Sequence, residues 1–133
     1  MATGEWVAGA ECIWIWVQVC KVLKYKSLTR TTISGLEDTP YAGVYILAYM
    51  GKILYVGKSN YGVVERIKSH INNADHDDVG GWLWKVKSDW HNVRLDILEA
   101  PDDIEIDYWL RYVESEMVRK FKPLFNEQLI KST

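Results

Sequence analysis

The sequence predicts an α/β (α+β) fold: a small three-stranded antiparallel sheet flanked by helices, with an N-terminal extension. Three observations carry this. The apolar runs AGVYILA and KILYVGK bracket Tyr49-Met50-Gly51 in the manner of a β-hairpin. NVRLDILEA, residues 92–100, alternates Val93, Leu95 and Ile97 as a half-buried strand does. Behind Pro101, DDIEIDYWLRYVESEMVRKFK places Ile106, Leu110, Val113, Met117 and Phe121 on one helical stripe and stops at Pro123.

Composition sets the outer bounds. A chain of 133 residues, 48% hydrophobic and 26% charged, suits one domain with or without an extension. A formal charge of -2 argues against a strongly basic, non-specific nucleic-acid binder but leaves local basic patches open. Cys12 and Cys20 match no zinc spacing, which favours a reduced, intracellular, non-secreted protein. The seven tryptophans are expected mainly in core packing, with base stacking as the lesser reading.

Taken in order, residues 1–38 form the extension and 39–133 the main domain. CIWIWVQVC, residues 12–20, reads as a buried strand, with a buried helix as the alternative. It is shorter than the roughly 20 apolar residues a membrane span needs, and no signal-peptide pattern surrounds it. The polar SLTRTTISGLEDTP, residues 27–40, reads as a connection. NYGVVERIKSHI is a helix with Asn60 as candidate N-cap, and NNADHDDVGG, residues 72–81, is a loop. WLWKVKSDW fits either a short helix or a strand. The final helix begins with an acidic turn that complements its dipole.

Within this frame seven residues form a candidate constellation: Tyr45 and Tyr55 on the hairpin arms, Lys58 after the second arm, Arg66 and His70 one turn apart on a helix, Glu114 on the last helix, and Asn126 beyond it. Each alone reads as structural or as solvated surface. Glu116 rivals Glu114, but Glu114 lies roughly 60° from the apolar stripe and Glu116 roughly 100°, so Glu114 sits nearer the core edge. His76, Asp77 and Asp78 are adjacent, which is poor geometry for one ion, and read as a solvated loop. Gly57-Lys58-Ser59 lacks the glycine-rich stretch of a phosphate loop.

Together these residues resemble the GIY-YIG nuclease family. Gly43-Val44-Tyr45 and Tyr55-Val56-Gly57-Lys58-Ser59 stand for its two name motifs, nine residues lying between the tyrosines. Arg66 and His70 match the arginine and the histidine of its first helix. Glu114, Pro123 nine residues later and Asn126 three beyond match its closing elements. The resemblance spans residues 39–128, with valine for isoleucine twice and a spacer one residue short.

It implies an endonuclease that hydrolyses DNA phosphodiester bonds with Mg²⁺ or Mn²⁺. Glu114 would hold the metal, and Arg66 would neutralise charge on the phosphoryl oxygens. Tyr45 would be the general base, its pKa lowered by Lys58, Arg66 and the metal, while Tyr55 orients water or phosphate. His70 would bond a tyrosine hydroxyl, and Asn126 would fix the region of the metal ligand. DNA is the expected partner, in a restriction-type or phage-associated setting or, alternatively, in repair or recombination. A homodimer, the extension or residues 72–91 would supply sequence choice. The competing classes are an inactive nucleic-acid-binding module and a structural interaction domain.

For both tyrosines to serve one site they must share a face of the sheet. A three-residue loop, Tyr49-Met50-Gly51, with Gly51 at positive φ would pair Tyr45 with Tyr55. A two-residue turn in a regular ladder would pair Tyr45 with Val56 and separate them.

Overall fold

A computed structural model describes residues 25–37 and 41–126. The strand expected at 12–20 and the boundary expected at 38/39 lie outside these residues. The described elements are β1 (Ser27–Thr32), a 3-10 turn (Ile33–Gly35), β2 (Gly43–Tyr49), β3 (Lys52–Ser59), α1 (Val63–Asn72), α2 (Asp78–Lys85), a 3-10 segment (Lys87–Asn92), β4 (Arg94–Glu99) and α3 (Ile106–Phe121).

The strands form one antiparallel sheet in the order β1-β4-β2-β3. It has four strands rather than the expected three. The added strand, β1, comes from the polar stretch read as a connection, and it pairs Ser27–Thr32 with Glu99–Arg94. An edge strand needs no apolar run, and its β-branched threonines suit an extended backbone.

The central strands β2 and β4 are covered on both faces. On one, Val44, Ile46, Val56 and Leu98 meet Trp109, Leu110, Val113 and Met117 of α3. On the other, Tyr45, Leu47, Tyr55, Leu95 and Ile97 meet Val63 and Ile67 of α1 and Val79 and Leu83 of α2. Burial of these side chains stabilises the layers by about 1.5–3 kcal/mol each. Trp109, not Ile106, completes the buried stripe of α3, and Ile106 is exposed.

The helix ends explain several local differences. Gly62, not Asn60, is the N-cap of α1. Ser59 Oγ accepts hydrogen bonds from the Tyr61 and Gly62 amides, while Asn60 Nδ2 donates to Asp107. The expected loop at 72–81 ends early, because Asp77 caps α2 by accepting from the Gly80 amide at 3.0 Å. A β-carbon at Gly80 would lie 1.7 Å from the His70 carbonyl oxygen, so glycine is what lets α2 pack directly on α1. The ambiguous WLWKVKSDW is helical, divided between α2 and the 3-10 segment. Glu105 caps α3, and Lys122 closes it in the left-handed conformation just before Pro123. Among the described residues no helix is long and apolar enough to cross a membrane.

The hairpin differs from the expected three-residue loop. Tyr49 pairs with Lys52 across a two-residue turn in which Met50 and Gly51 both have positive φ, at 51° and 81°. Gly51 therefore has the expected conformation in a different turn. Leu54 is an extra residue between the Ala48–Ile53 and Leu47–Tyr55 pairs, a β-bulge. Beyond it Tyr45 pairs with Gly57, not with Tyr55 or Val56.

Candidate active site

The bulge puts Tyr45, Leu47, Tyr55 and Gly57 on one face of the hairpin. The tyrosines are diagonal neighbours with ring centroids 6.1 Å apart. Tyr45 leans across Gly57, where a β-carbon would come within 2.5 Å of its Cζ and hydroxyl and 2.7 Å of Tyr55 Cε2. The glycine two residues after Tyr55 is thus the floor on which Tyr45 lies.

Helix α1 presents Arg66 and His70 to this floor. The Tyr45 hydroxyl and His70 Nε2 are 2.9 Å apart, and the Tyr55 and His70 rings meet edge-on at 5.5 Å. Behind the imidazole, Nδ1 lies 2.5 Å from Asp77 Oδ2. The two carboxylate oxygens of Asp77 therefore divide their work, Oδ1 capping α2 and Oδ2 holding His70. A carboxylate accepts, so Nδ1 donates to it, and Nε2 is left to accept from Tyr45.

Tyr55, Arg66, His70, Asp77, His76, Asp78, Val79 and Phe125 line a cleft of about 250 Å³. Tyr45 is fully buried behind Tyr55. The cleft adjoins a wider hollow of about 550 Å³ that shares His76, Asp77, Asp78 and Phe125 and adds Trp82 and Lys85. Lys58 and Glu114 meet at edge strand β3, their charged groups 3.7 Å apart. Glu116 instead accepts from Arg119 at 2.6 Å.

The electrostatics differ in one respect from the expected lowered tyrosine. Burial pushes Tyr45 well above its usual value of 10.0, Tyr55 adds to the rise, and Arg66 opposes it. Burial and the charge of Glu114 raise Tyr55, against the opposing charge of Arg66. Arg66 does act in the expected direction, but loss of water outweighs it, and Lys58 acts on Glu114 instead. Burial lowers His70, with Asp77 opposing and Arg66 assisting. Burial raises Glu114, with Lys58 opposing.

Of the seven predicted residues, Tyr45, Tyr55, Arg66 and His70 form one packed group. Lys58 and Glu114 form a second at the strand edge, close enough for the charge of Glu114 to act on both tyrosines. Asn126 is hydrogen-bonded to β3, two residues from Lys58. Its side chain accepts from the Val56 amide at 2.8 Å and donates to the Val56 carbonyl at 2.9 Å, finishing the open edge between Tyr55 and Gly57. Asp77, read from sequence as a solvated loop residue, is the contributor that was missed. Its position before the apolar run VGGWLW was an N-cap signal, but the bond to His70 depends on tertiary packing.

Comparison of the chain with protein-family models, with curated proteins and with solved structures returned no match.

Proposed function

We propose that this chain is a divalent-metal-dependent endonuclease that hydrolyses DNA phosphodiester bonds in the manner of GIY-YIG nucleases. The observation that carries the proposal is the convergence of Tyr55, Arg66 and His70 on one cleft, with Tyr45 hydrogen-bonded behind them and Glu114 near both tyrosines. Tyrosine hydroxyls can orient a water or a phosphoryl oxygen. The guanidinium of Arg66 presents a planar fork to the phosphate and opposes negative charge as it grows there.

The residues present fit Mg²⁺ or Mn²⁺ better than an ion caged by protein. Among the described residues no three His, Cys, Asp or Glu side chains gather as a metal cage. A single carboxylate, Glu114, suits a hard cation that keeps several waters and shares the substrate's phosphate. When bound, such an ion supplies Lewis acidity toward the phosphate and the leaving oxygen. Lys58 faces the Glu114 carboxylate from one side at 3.7 Å. The same chemistry would serve a restriction-type or phage-associated nuclease or, alternatively, one of repair or recombination.

Nicking of supercoiled plasmid with Mg²⁺ or Mn²⁺, compared with EDTA, is the test. Glu114→Gln is expected to abolish nicking while DNA binding and folding stay near wild type, and Glu116→Gln to nick normally. No metal-dependent nicking by the wild-type chain, with DNA binding retained, would favour the inactive-module reading.

A further inference from the structure

Resting tyrosines held neutral by burial cannot take a proton from water unless they pass one on. Tyr45 has one hydrogen-bond partner positioned to receive it, the Nε2 of His70 at 2.9 Å. That nitrogen is free to accept because Asp77 Oδ2, 2.5 Å from Nδ1, fixes the other tautomeric proton in place. Tyr55 lines the cleft, and the Tyr45 ring lies behind it with the two ring centroids 6.1 Å apart.

From this geometry we propose that Asp77 is a positioning residue of a proton relay running from the cleft through Tyr55 and Tyr45 to His70. The proposal rests on the nuclease reading above. As a water oxygen bonds to phosphorus, the water's O–H bond breaks and its proton goes to the Tyr55 oxygen. The Tyr55 proton passes to Tyr45 and the Tyr45 proton to His70 Nε2. The phosphorus–oxygen bond to the leaving DNA strand breaks, the leaving oxygen takes a proton from a solvent water, and His70 then returns its proton through the relay to the hydroxide so formed. The imidazolium formed at His70 faces the Asp77 carboxylate, which stabilises it, and Arg66, which opposes it. The arrangement has the logic of a serine-protease triad, with a pair of tyrosines in place of the serine. Its parts come from four elements: Tyr45 from β2, Tyr55 from β3, His70 and Arg66 from α1, and Asp77 from the cap of α2.

Asp77→Asn separates this role from simple support. The amide oxygen can still cap α2, so the fold is kept. The amide nitrogen donates to Nδ1 and forces the proton onto Nε2, which then points a donor at Tyr45. With the protein labelled with ¹⁵N-histidine, His70 is expected as the Nδ1–H tautomer in the wild type and as the Nε2–H tautomer in Asp77→Asn. His70→Gln identifies the signal against His76 and His91. In plasmid nicking, kcat should fall by ~10²- to 10⁴-fold, as for a mispositioned triad histidine, while KM changes by less than about threefold. Tyr45→Phe, which keeps the ring on Gly57, should lose a similar factor, and combining the two changes should lose little more.

An unchanged tautomer, or a kcat near wild type in Asp77→Asn, overturns the relay while leaving the nuclease reading intact. So do losses from Tyr45→Phe and Asp77→Asn that multiply. A wild-type protein that cleaves no DNA overturns the nuclease reading, and the relay with it, whatever the tautomer.

Discussion

Gly57→Ala is the sharpest test of how the hairpin builds the site. The new methyl carbon would stand 2.5 Å from both Cζ and the hydroxyl of Tyr45 and 2.7 Å from Tyr55 Cε2. Both obstructing groups are rigid rings packed in the core, so neither can yield as a flexible chain end would. Overpacking of this kind costs about 1–3 kcal/mol. Displacing Tyr45 also breaks its bond to the buried His70, and an unsatisfied buried polar group costs about 1–3 kcal/mol more. The expected loss is therefore about 2–6 kcal/mol. With an m-value of about 2 kcal/mol/M, that lowers the urea midpoint by about 1–3 M. Gly57→Ala, Tyr45→Leu and the double variant complete the measurement. With the Tyr45 ring gone, Tyr55 can lean into the vacated space, and the alanine should cost less than about 1 kcal/mol, since Ala is otherwise easier to hold in a strand than Gly. The coupling between the two changes should exceed about 1 kcal/mol. An equal penalty for Gly57→Ala in both backgrounds would refute the claim that Tyr45 lies on Gly57.

Two further outcomes are expected at the same site. Arg66→Ala should lower the nicking rate by ~10²-fold or more, and Arg66→Lys should recover little of it because lysine lacks the planar fork; near wild-type activity in Arg66→Lys would reduce Arg66 to a phosphate contact. Burial lowers His70 from its usual 6.5, so the folded protein resists the proton that the unfolded chain accepts. The stability His70 contributes is therefore full above about pH 6.5 and is lost as pH falls through the lower folded value. The urea-midpoint difference between wild type and His70→Gln should shrink below pH 6.5, and a difference that grows there would reverse the assignment.

The sequence revealed what depends on local pattern. The hairpin arms were legible as apolar runs around a turn, α1 as a segment behind a cap signal, and β4 and most of the α3 stripe by their periodicity. What stayed hidden depends on pairing at a distance. β1 carries no apolar signal because it lies at a sheet edge, and nothing local announces that Ser27–Thr32 will find Glu99–Arg94. Asp77 sits in a polar run, and which side chain its second oxygen meets is decided by the packing of α2 on α1 through Gly80. The burial of the tyrosines stayed hidden for a related reason: Arg66 could be counted in the sequence, but the loss of water that outweighs it at both rings could not.

The hairpin shows how a correct conclusion about shared faces survived an incorrect turn. Paired residues in an antiparallel ladder have a constant sum of positions, and the parity of that sum decides which residues share a face. A regular two-residue turn at Met50-Gly51 gives an odd sum and separates the tyrosines. The expected three-residue loop gives an even sum and unites them. The protein keeps the two-residue turn and reaches even parity through the bulge at Leu54, which shifts the ladder until Tyr45 faces Gly57. That further shift is what makes room for Tyr45 to cross its partner strand. From the Leu47–Tyr55 pair onward, the ladder no longer depends on the extra residue. Deleting Leu54 should therefore leave a regular hairpin with the same tyrosine pairing. It should cost the burial of one leucine, about 1.5–3 kcal/mol, as a lower urea midpoint. Where the variant is folded, nicking should stay within about tenfold of wild type. A folded deletion variant that has lost its nicking activity and its Tyr45–His70 hydrogen bond would show that the bulge shapes the site directly, not merely through register.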